Sequence, residues 1–600
     1  MQQKTNAILG GHLGKAMSQC IENSVKVQDI AMIVEPFGNR TETSLWQTEF
    51  WGKWMLGAVP AYRYSGDTQL LSKICQSVSD LVATQTDDGY IGNYADGARL
   101  GNWDVWGRKY TLLGLLEYYD LTLQTDVLNA AVRLVDNLLN ELSAAHAEIV
   151  TFGFYRGMAA SSVLEPIVKL YTRTKDQKYL NFAKEIVSQW ESTDGPQLIR
   201  KAVDGVNVAD RFPHPSNWFS EENGQKAYEM MSCYQGLLEL YTVTGCAEYL
   251  HATECAVRNI IESEINVAGS GSAFECWYHG AQNQILPTFH TMETCVTTTW
   301  MRLCQTLMML TRDPAYADML ERTLYNAYLA AMSPDASSFS KYSPLEGTRG
   351  AGEDQCGLTT NCCIANGPRG FMVLPSTVVT SDETGIYINL YTESVVNTRS
   401  SVSGNSVIIT QNTDYPANGT VSVVVQTETP DAFLVHFRIP AWSYLTSMTV
   451  NGDEVEDLIP GSYKVLERVW KSGDTVTLVL DMRGRVVEQS NHFAIERGPI
   501  VLARDARFDE GYIDECAVVS DESSAYAQLE REVNGTPENI WMSFTTPLLL
   551  GSNREREFGE PKPVHMCDFA SAGNTWDQRS RYRVWLPKTL NVMLQEYKPY

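Results

Sequence analysis

The chain has 600 residues, 44% hydrophobic and 20% charged, with a formal net charge of −25. That is too long for one core and suits roughly two to four globular domains. The negative charge is scattered rather than clustered, which argues against nucleic acid or an anionic membrane surface as partner, and no apolar run is long enough to span a membrane. Thirteen cysteines without regular spacing suit free thiols and metal ligands better than a disulfide framework. The first residues, Met1 to Lys15, lack the apolar stretch of a secretion signal. A cytoplasmic location or, with a leader removed, a periplasmic one both stay open, as does a homo-oligomer.

From the start to about residue 375 a helical pattern repeats. Leu56–Ala83, Leu112–Leu142, Leu164–Trp190, Leu237–Ile261 and Leu303–Met332 each read as helix, tight polar turn, helix. The turns fall at places such as Tyr64-Ser65-Gly66-Asp67, Thr174-Lys175-Asp176, Thr244-Gly245 and Arg312-Asp313-Pro314. Such hairpins bury one face each and need neighbours to cover the other. Five of them with a less obvious sixth predict a closed ring, an all-α (α/α)6 barrel over 1–375. The weaker alternative is an open solenoid, whose repeats would be shorter and more regular. Near Ser376 the pattern turns to strands, among them Gly385–Leu390, Val421–Val425, Phe433–Phe437 and Thr475–Leu480, with an Asn451-Gly452 hairpin turn. A β-sandwich is expected over 376–485 and a second β-rich domain over 486–600, both read as packing modules.

Nine of the fourteen tryptophans precede residue 301. Trp103, in Asn102-Trp103-Asp104-Val105-Trp106, is the preferred platform for a sugar, whose C–H faces stack on indoles while its hydroxyls need polar partners. Gap-filling between helices is the ordinary role of such residues. His290, three before Glu293, could donate to a sugar hydroxyl or orient that carboxylate; His279 is a weaker candidate.

Two short motifs carry the chemistry: Met292-Glu293-Thr294-Cys295-Val296 and Asn361-Cys362-Cys363-Ile364-Ala365-Asn366-Gly367-Pro368-Arg369-Gly370. In an extended segment Glu293 and Cys295 share one face, whereas the vicinal cysteines must sit in a turn. Three thiolates and a carboxylate make a tetrahedral Zn²⁺ set. Three inert buried cysteines and a solvated glutamate are the alternative reading of the same residues.

These motifs resemble the zinc–cysteine site of glycoside hydrolase family 127, the β-L-arabinofuranosidase family, and the resemblance covers most of the chain. Farther on, Phe437-Arg438-Ile439-Pro440-Ala441-Trp442, Val450-Asn451-Gly452 and Trp470-Lys471-Ser472-Gly473-Asp474 are also similar to that family. The resemblance implies a retaining exo-glycosidase acting on an oligosaccharide of plant pectic or cell-wall type. Zinc would be held by Glu293, Cys295, Cys362 and Cys363, and Cys362 would be the nucleophile. It also calls for a second glutamate as acid/base upstream of Glu293. Glu275 is the only carboxylate between Glu264 and Glu293 and takes that role, with Glu221, Glu222 and Asp104 as substitutes. Where many members have a His-Glu-Leu-Tyr-like stretch, this chain has Gly107-Arg108-Lys109-Tyr110. Arg108 is therefore expected to bind substrate and to favour a carboxylated furanose-like sugar, unless both cations simply face solvent. Two other classes remain in play. One is a non-catalytic carbohydrate-binding protein with a structural zinc. The other is a polysaccharide lyase on the same ring, which would need no thiolate.

Overall fold

The computed structural model describes residues 6–214, 222–521, 523–532, 535–551 and 560–589. The helical part is a ring of paired helices. Five pairs run consecutively: α2 (Glu49–Ser65) with α3 (Thr68–Val82), α4 (Asp104–Thr122) with α5 (Thr125–Ala145), α6 (Leu164–Thr174) with α7 (Gln177–Trp190), α8 (Ala227–Thr244) with α9 (Ala247–Ser263), and α10 (Thr294–Thr311) with α11 (Pro314–Thr323). The first helix of each pair lines the barrel and the second lies outside it. Inner helices touch in the order α2, α4, α6, α8, α10. The ring is closed by residues distant in sequence. Helix α12 (Cys362–Asn366) and the 3₁₀ turns Gly367–Ser376 pack between α10 and α2, and α1 (Gly11–Cys20), prolonged through Ile21–Val25, backs them from outside.

Burial explains the difference between the layers. Inner helices are covered on all sides: α2 is buried from Glu49 to Val59 and α4 from Asp104 to Leu116. Outer helices bury one stripe, as α3 does with Leu70, Ile74, Ser77, Val78 and Leu81. The five links share one geometry. Gly66, Leu123, Lys175, Gly245 and Arg312 each end an inner helix in the left-handed conformation. The next residue then starts the outer helix, and Asp67, Asp176 and Asp313 cap it by accepting from backbone N–H groups.

The barrel is followed by sheets. A seven-stranded antiparallel sheet includes Ser394–Arg399, Ser406–Asn412, Thr420–Thr427 and Asp474–Val479, and the early strand Asn6–Leu9 forms one of its edges. A four-stranded sheet built on Asp431–Ile439 and Ser462–Trp470 shares one apolar core with it. Arg438 ties this sandwich to the barrel: buried, it pairs with Asp318 and Glu321 of α11. A third sheet, carrying Gly484–Gln489 to Lys562–Asp568, packs Val501, Ala503, Phe569 and Trp585 against Val267, Met292, Ala327 and Leu345. Those barrel residues flank the Glu293 motif, so the last sheet backs the segments that carry the site.

Leu123 sits in the left-handed region at φ 56° and is 68% exposed. A side chain in that conformation costs about 1–2 kcal/mol, part of which glycine gives back through the entropy of the unfolded chain. Leu123→Gly should therefore raise stability by about 0.5–1 kcal/mol, read as a higher urea midpoint. A lower midpoint would show that the exposed leucine packs to advantage.

Candidate active site

The inner helices begin at one end of the barrel, and the two motifs meet there. Glu293 is the N-cap of α10, with extended backbone angles, and Cys295 is the second residue of that helix. Asn361 caps α12, its Oδ1 accepting from the backbone N–H of Cys363 and of Ile364 at 3.0 Å each. This fixes Cys362 and Cys363 as the first two helical residues, and Gln355 Oε1 accepts from the Cys362 N–H at 2.9 Å. Ligand atoms of Glu293, Cys295, Cys362 and Cys363 all lie within 4.8 Å of one another.

The spacing fits a four-coordinate metal. Tetrahedral bonds of about 2.3 Å to sulfur and about 2.0 Å to oxygen put sulfurs about 3.8 Å apart and oxygen about 3.5 Å from sulfur. Here Cys363 Sγ lies 3.9 Å from Cys295 Sγ and 3.8 Å from Cys362 Sγ. Glu293 Oε1 is 3.5 and 3.3 Å from the sulfurs of Cys362 and Cys363. The other oxygen of Glu293 is buried without a hydrogen-bond partner. In the metal-free chain burial pushes up the thiols of Cys295 and Cys363 and the carboxyl of Glu293. Cys362 moves the other way: the thiols of Cys295 and Cys363 donate to it and hold it well below the usual thiol range, with Lys53 and Lys341 assisting.

Above the cluster is a cavity of about 330 Å³, at the lower end of the range for small-molecule sites. Its floor includes Cys362, Glu293 and Lys53, and Glu275, Lys226, Glu229 and Lys341 line its walls. Lys53 is fully buried, 2.7 Å from Glu49 Oε1 and 3.8 Å from Cys295 Sγ. Burial alone would lower its ammonium, yet Cys295 and Glu49 hold it well above the ordinary lysine range. Glu275 rides on a strained loop at φ 67° and pairs with Lys226 at 2.7 Å. That loop is pinned by buried Glu264, whose carboxylate accepts from the backbone N–H groups of Tyr278, His279 and Gly280.

Of the residues expected from sequence, the structure brings Glu275, Trp103, Glu293 and Cys362 to one cavity, with Cys295 and Cys363 buried behind its lining. Trp103 stands among Trp46, Trp106, Phe154 and Tyr155, giving the mouth an aromatic wall. Arg108 must be corrected. It is buried away from the cavity, its guanidinium held by Asp104 and Glu141 at 2.6 Å each and by Asn137 at 2.9 Å. Asp104 is consumed by the same network, which removes it as a substitute acid. His290 is also corrected: it is exposed, stacked on Phe274 and against Tyr342, and does not line the cavity. His279 pairs with Asp210 at 3.0 Å. Glu221 lies outside the described residues, and Glu222 does not line the cavity. The extended segment expected for Glu293 and Cys295 is instead a helix start. Lys53, Lys226 and Glu229 went unnoticed, because a charge on an inner helix has the same spacing in sequence as one on a solvated face.

Two family descriptions match the chain: "Beta-L-arabinofuranosidase, GH127 catalytic domain" over residues 5–376 and the GH127 middle domain over residues 385–482. The non-reducing end β-L-arabinofuranosidase of Bifidobacterium longum subsp. longum is 22% identical over 505 residues, which is 76% of this chain and 74% of that protein. Among solved structures, a GH127 β-L-arabinofuranosidase from Geobacillus stearothermophilus T6 superposes with a TM-score of 0.77 at 19% identity, covering 97% of this chain and 100% of that one. A second GH127 β-arabinofuranosidase gives 0.76 at 20% identity, covering 99% and 98%.

Glu229 yields a pH prediction. Burial, reinforced by Glu275 and opposed by Lys226, pushes its carboxyl up to about 7. A raised carboxyl binds its proton more tightly when folded, so its contribution is full below the unfolded carboxylate range and is lost as pH rises to about 7. Glu229→Gln, of the same size and uncharged, should come closest to wild type in urea at about pH 4 and gain on it progressively up to pH 8. Equal midpoints at pH 8 would mean that the Glu229 charge is fully compensated.

Proposed function

The chain belongs to the β-L-arabinofuranosidase family GH127 and is a glycoside hydrolase, and from that premise we propose a retaining exo-enzyme that releases terminal L-arabinofuranose from plant cell-wall glycans. In this reading Glu293, Cys295, Cys362 and Cys363 hold Zn²⁺, Cys362 is the nucleophile and Glu275 the acid/base. The observation that carries it is the convergence of the four-ligand cluster and a separate carboxylate on one small cavity. Zinc, when bound, would keep the thiols deprotonated near neutral pH. The near-tetrahedral spacing supports it over a cation that prefers oxygen ligands.

The residues divide the work as follows. The sulfur of Cys362 attacks the anomeric carbon, and the bond to the leaving oxygen breaks as the carbon–sulfur bond forms. Glu275 gives its proton to that oxygen. In the second half the Glu275 carboxylate takes a proton from water, the water oxygen bonds to the anomeric carbon, and the thiolate is released. Lys226 positions Glu275 for both halves, and Lys53 offsets part of the negative charge around Cys295. Trp103 and its aromatic neighbours offer a face for the sugar C–H groups. Neither Arg108 nor Lys109 lines the cavity, so neither selects a carboxylated sugar there.

Three measurements test the reading. Cys362→Ser should lose at least about a thousandfold in turnover, since removal of a covalent nucleophile raises the barrel's reaction barrier by several kcal/mol. It should stay folded. Full activity would remove Cys362 from the mechanism, and metal analysis of reduced, unchelated wild type finding no zinc would remove the cofactor. For Glu275→Gln, the loss should be much larger on natural oligosaccharides than on aryl β-L-arabinofuranosides, whose leaving groups need no proton. Equal losses would place the acid elsewhere, with Glu229 next in line.

A further inference from the structure

One carboxyl group of the cavity wall has work left over. Glu229 stands in the first turn of α8, three residues after Lys226, and both side chains line the cavity. The start of α8 is tied to the loop that carries Glu275. The Ala227 N–H donates to the Glu275 carbonyl at 2.9 Å, and Lys226 Nζ lies 2.7 Å from the Glu275 carboxylate. Glu229 is therefore held at a fixed place beside Glu275.

Glu229 is 4% exposed, and its Oε2 is buried without a hydrogen-bond partner among the described residues. A buried carboxyl oxygen left unsatisfied is costly. The neighbouring side chains are already engaged. Lys226 is committed to Glu275, Lys109 rests on Trp106 with its ammonium 4.1 Å from the ring centre, and the Tyr228 hydroxyl is paired with that of Tyr110. What remains to meet Oε2 is whatever fills the cavity.

Depth decides which part of a substrate that is. Trp46 and Trp103 are half-buried at the mouth, and the Glu275 side chain is 23% exposed, whereas Glu229 belongs to the closed part. In an exo-enzyme the leaving group points to the mouth and the terminal sugar fills the closed part. The polar groups such a furanose can bring to Glu229 are its hydroxyls at C2, C3 and C5. Burial and Glu275 raise the Glu229 carboxyl to about 7 against the pull of Lys226 and Lys109. Up to neutral pH it keeps its proton, so it can both donate and accept, as a hydroxyl does.

We propose that Glu229 binds one hydroxyl of the terminal sugar through its free oxygen and so makes that hydroxyl a requirement for hydrolysis. This role rests on the exo-hydrolase reading above, with Glu229 holding the sugar rather than the leaving oxygen. A site built to hydrogen-bond a hydroxyl strongly rejects the analogue that lacks it, because the buried group is then left unpaired.

Aryl β-L-arabinofuranosides deoxygenated singly at C2, C3 and C5 give the test, since their activated leaving group needs no acid. Wild type should lose at least about a hundredfold in kcat/KM on one of them. That penalty, taken as the ratio to the parent sugar within each variant, should fall below about tenfold in Glu229→Ala and persist in Glu229→Gln. A wild type indifferent to all three deletions, or penalties unchanged in Glu229→Ala, would overturn the proposal and leave the exo-hydrolase reading standing. A wild type inactive on the parent sugar would overturn both. If Glu229→Ala does not fold, wild-type crystals soaked with L-arabinose decide. A sugar hydroxyl within hydrogen-bond reach of Glu229 is expected; a map in which that oxygen stays bare or meets only water would overturn the assignment.

Discussion

Closure of the ring is the constraint on which the molecule depends. Five helical hairpins can curve around an axis, but the last gap is filled by Cys362–Ser376, backed by Gly11–Val25. The segment that completes the barrel is the one that brings Cys362 and Cys363 to Glu293 and Cys295. Structural closure and assembly of the ligand cluster are thus a single event, and Asn361 sets the register of both by capping the closing helix. The sheets serve the same end. Arg438 anchors the sandwich to α11, and the last sheet packs behind Met292 and Leu345.

The charges at the cavity follow a rule of pairing. Lys53 is matched to Glu49 and Lys226 to Glu275, so these two pairs are fixed within the barrel wall. Four acidic ligands in one place exceed what these lysines can offset, and a divalent cation held there would bring the group toward balance. Pairing also restricts motion. The Glu275 carboxylate, held at 2.7 Å by a buried ammonium on a loop pinned by Glu264, is fixed in one place.

Much of this was legible in the sequence because turns and motifs are local. The residues at the ends of the inner helices, followed by Asp67, Asp176 and Asp313, mark hairpins at fixed places whatever packs around them. Glu293, Cys295, Cys362 and Cys363 are recognisable by type and spacing alone. The sixth pair was not legible, since its two members stand at opposite ends of the barrel sequence. Nor was the early strand Asn6–Leu9, which pairs with Ser394–Arg399. Arg108 and Lys109 show the limit for side chains. Both looked like exposed helix cations or a pocket rim. An inner helix has no solvated face, so one was drawn into a carboxylate network and its neighbour was set against Trp106.

The position of the closing segment also has a consequence in time. A ribosome delivers Glu293 and Cys295 well before Cys362 and Cys363, so for that interval an incomplete arc of helices exposes the first two ligands and the unpaired flanks of α2 and α10. Metal captured then would meet at most half of its final ligands and could be lost or exchanged. On the proposed zinc reading, selection of the ion would belong to the last stage of folding, when Cys362, Cys363 and the last wall of the barrel arrive together.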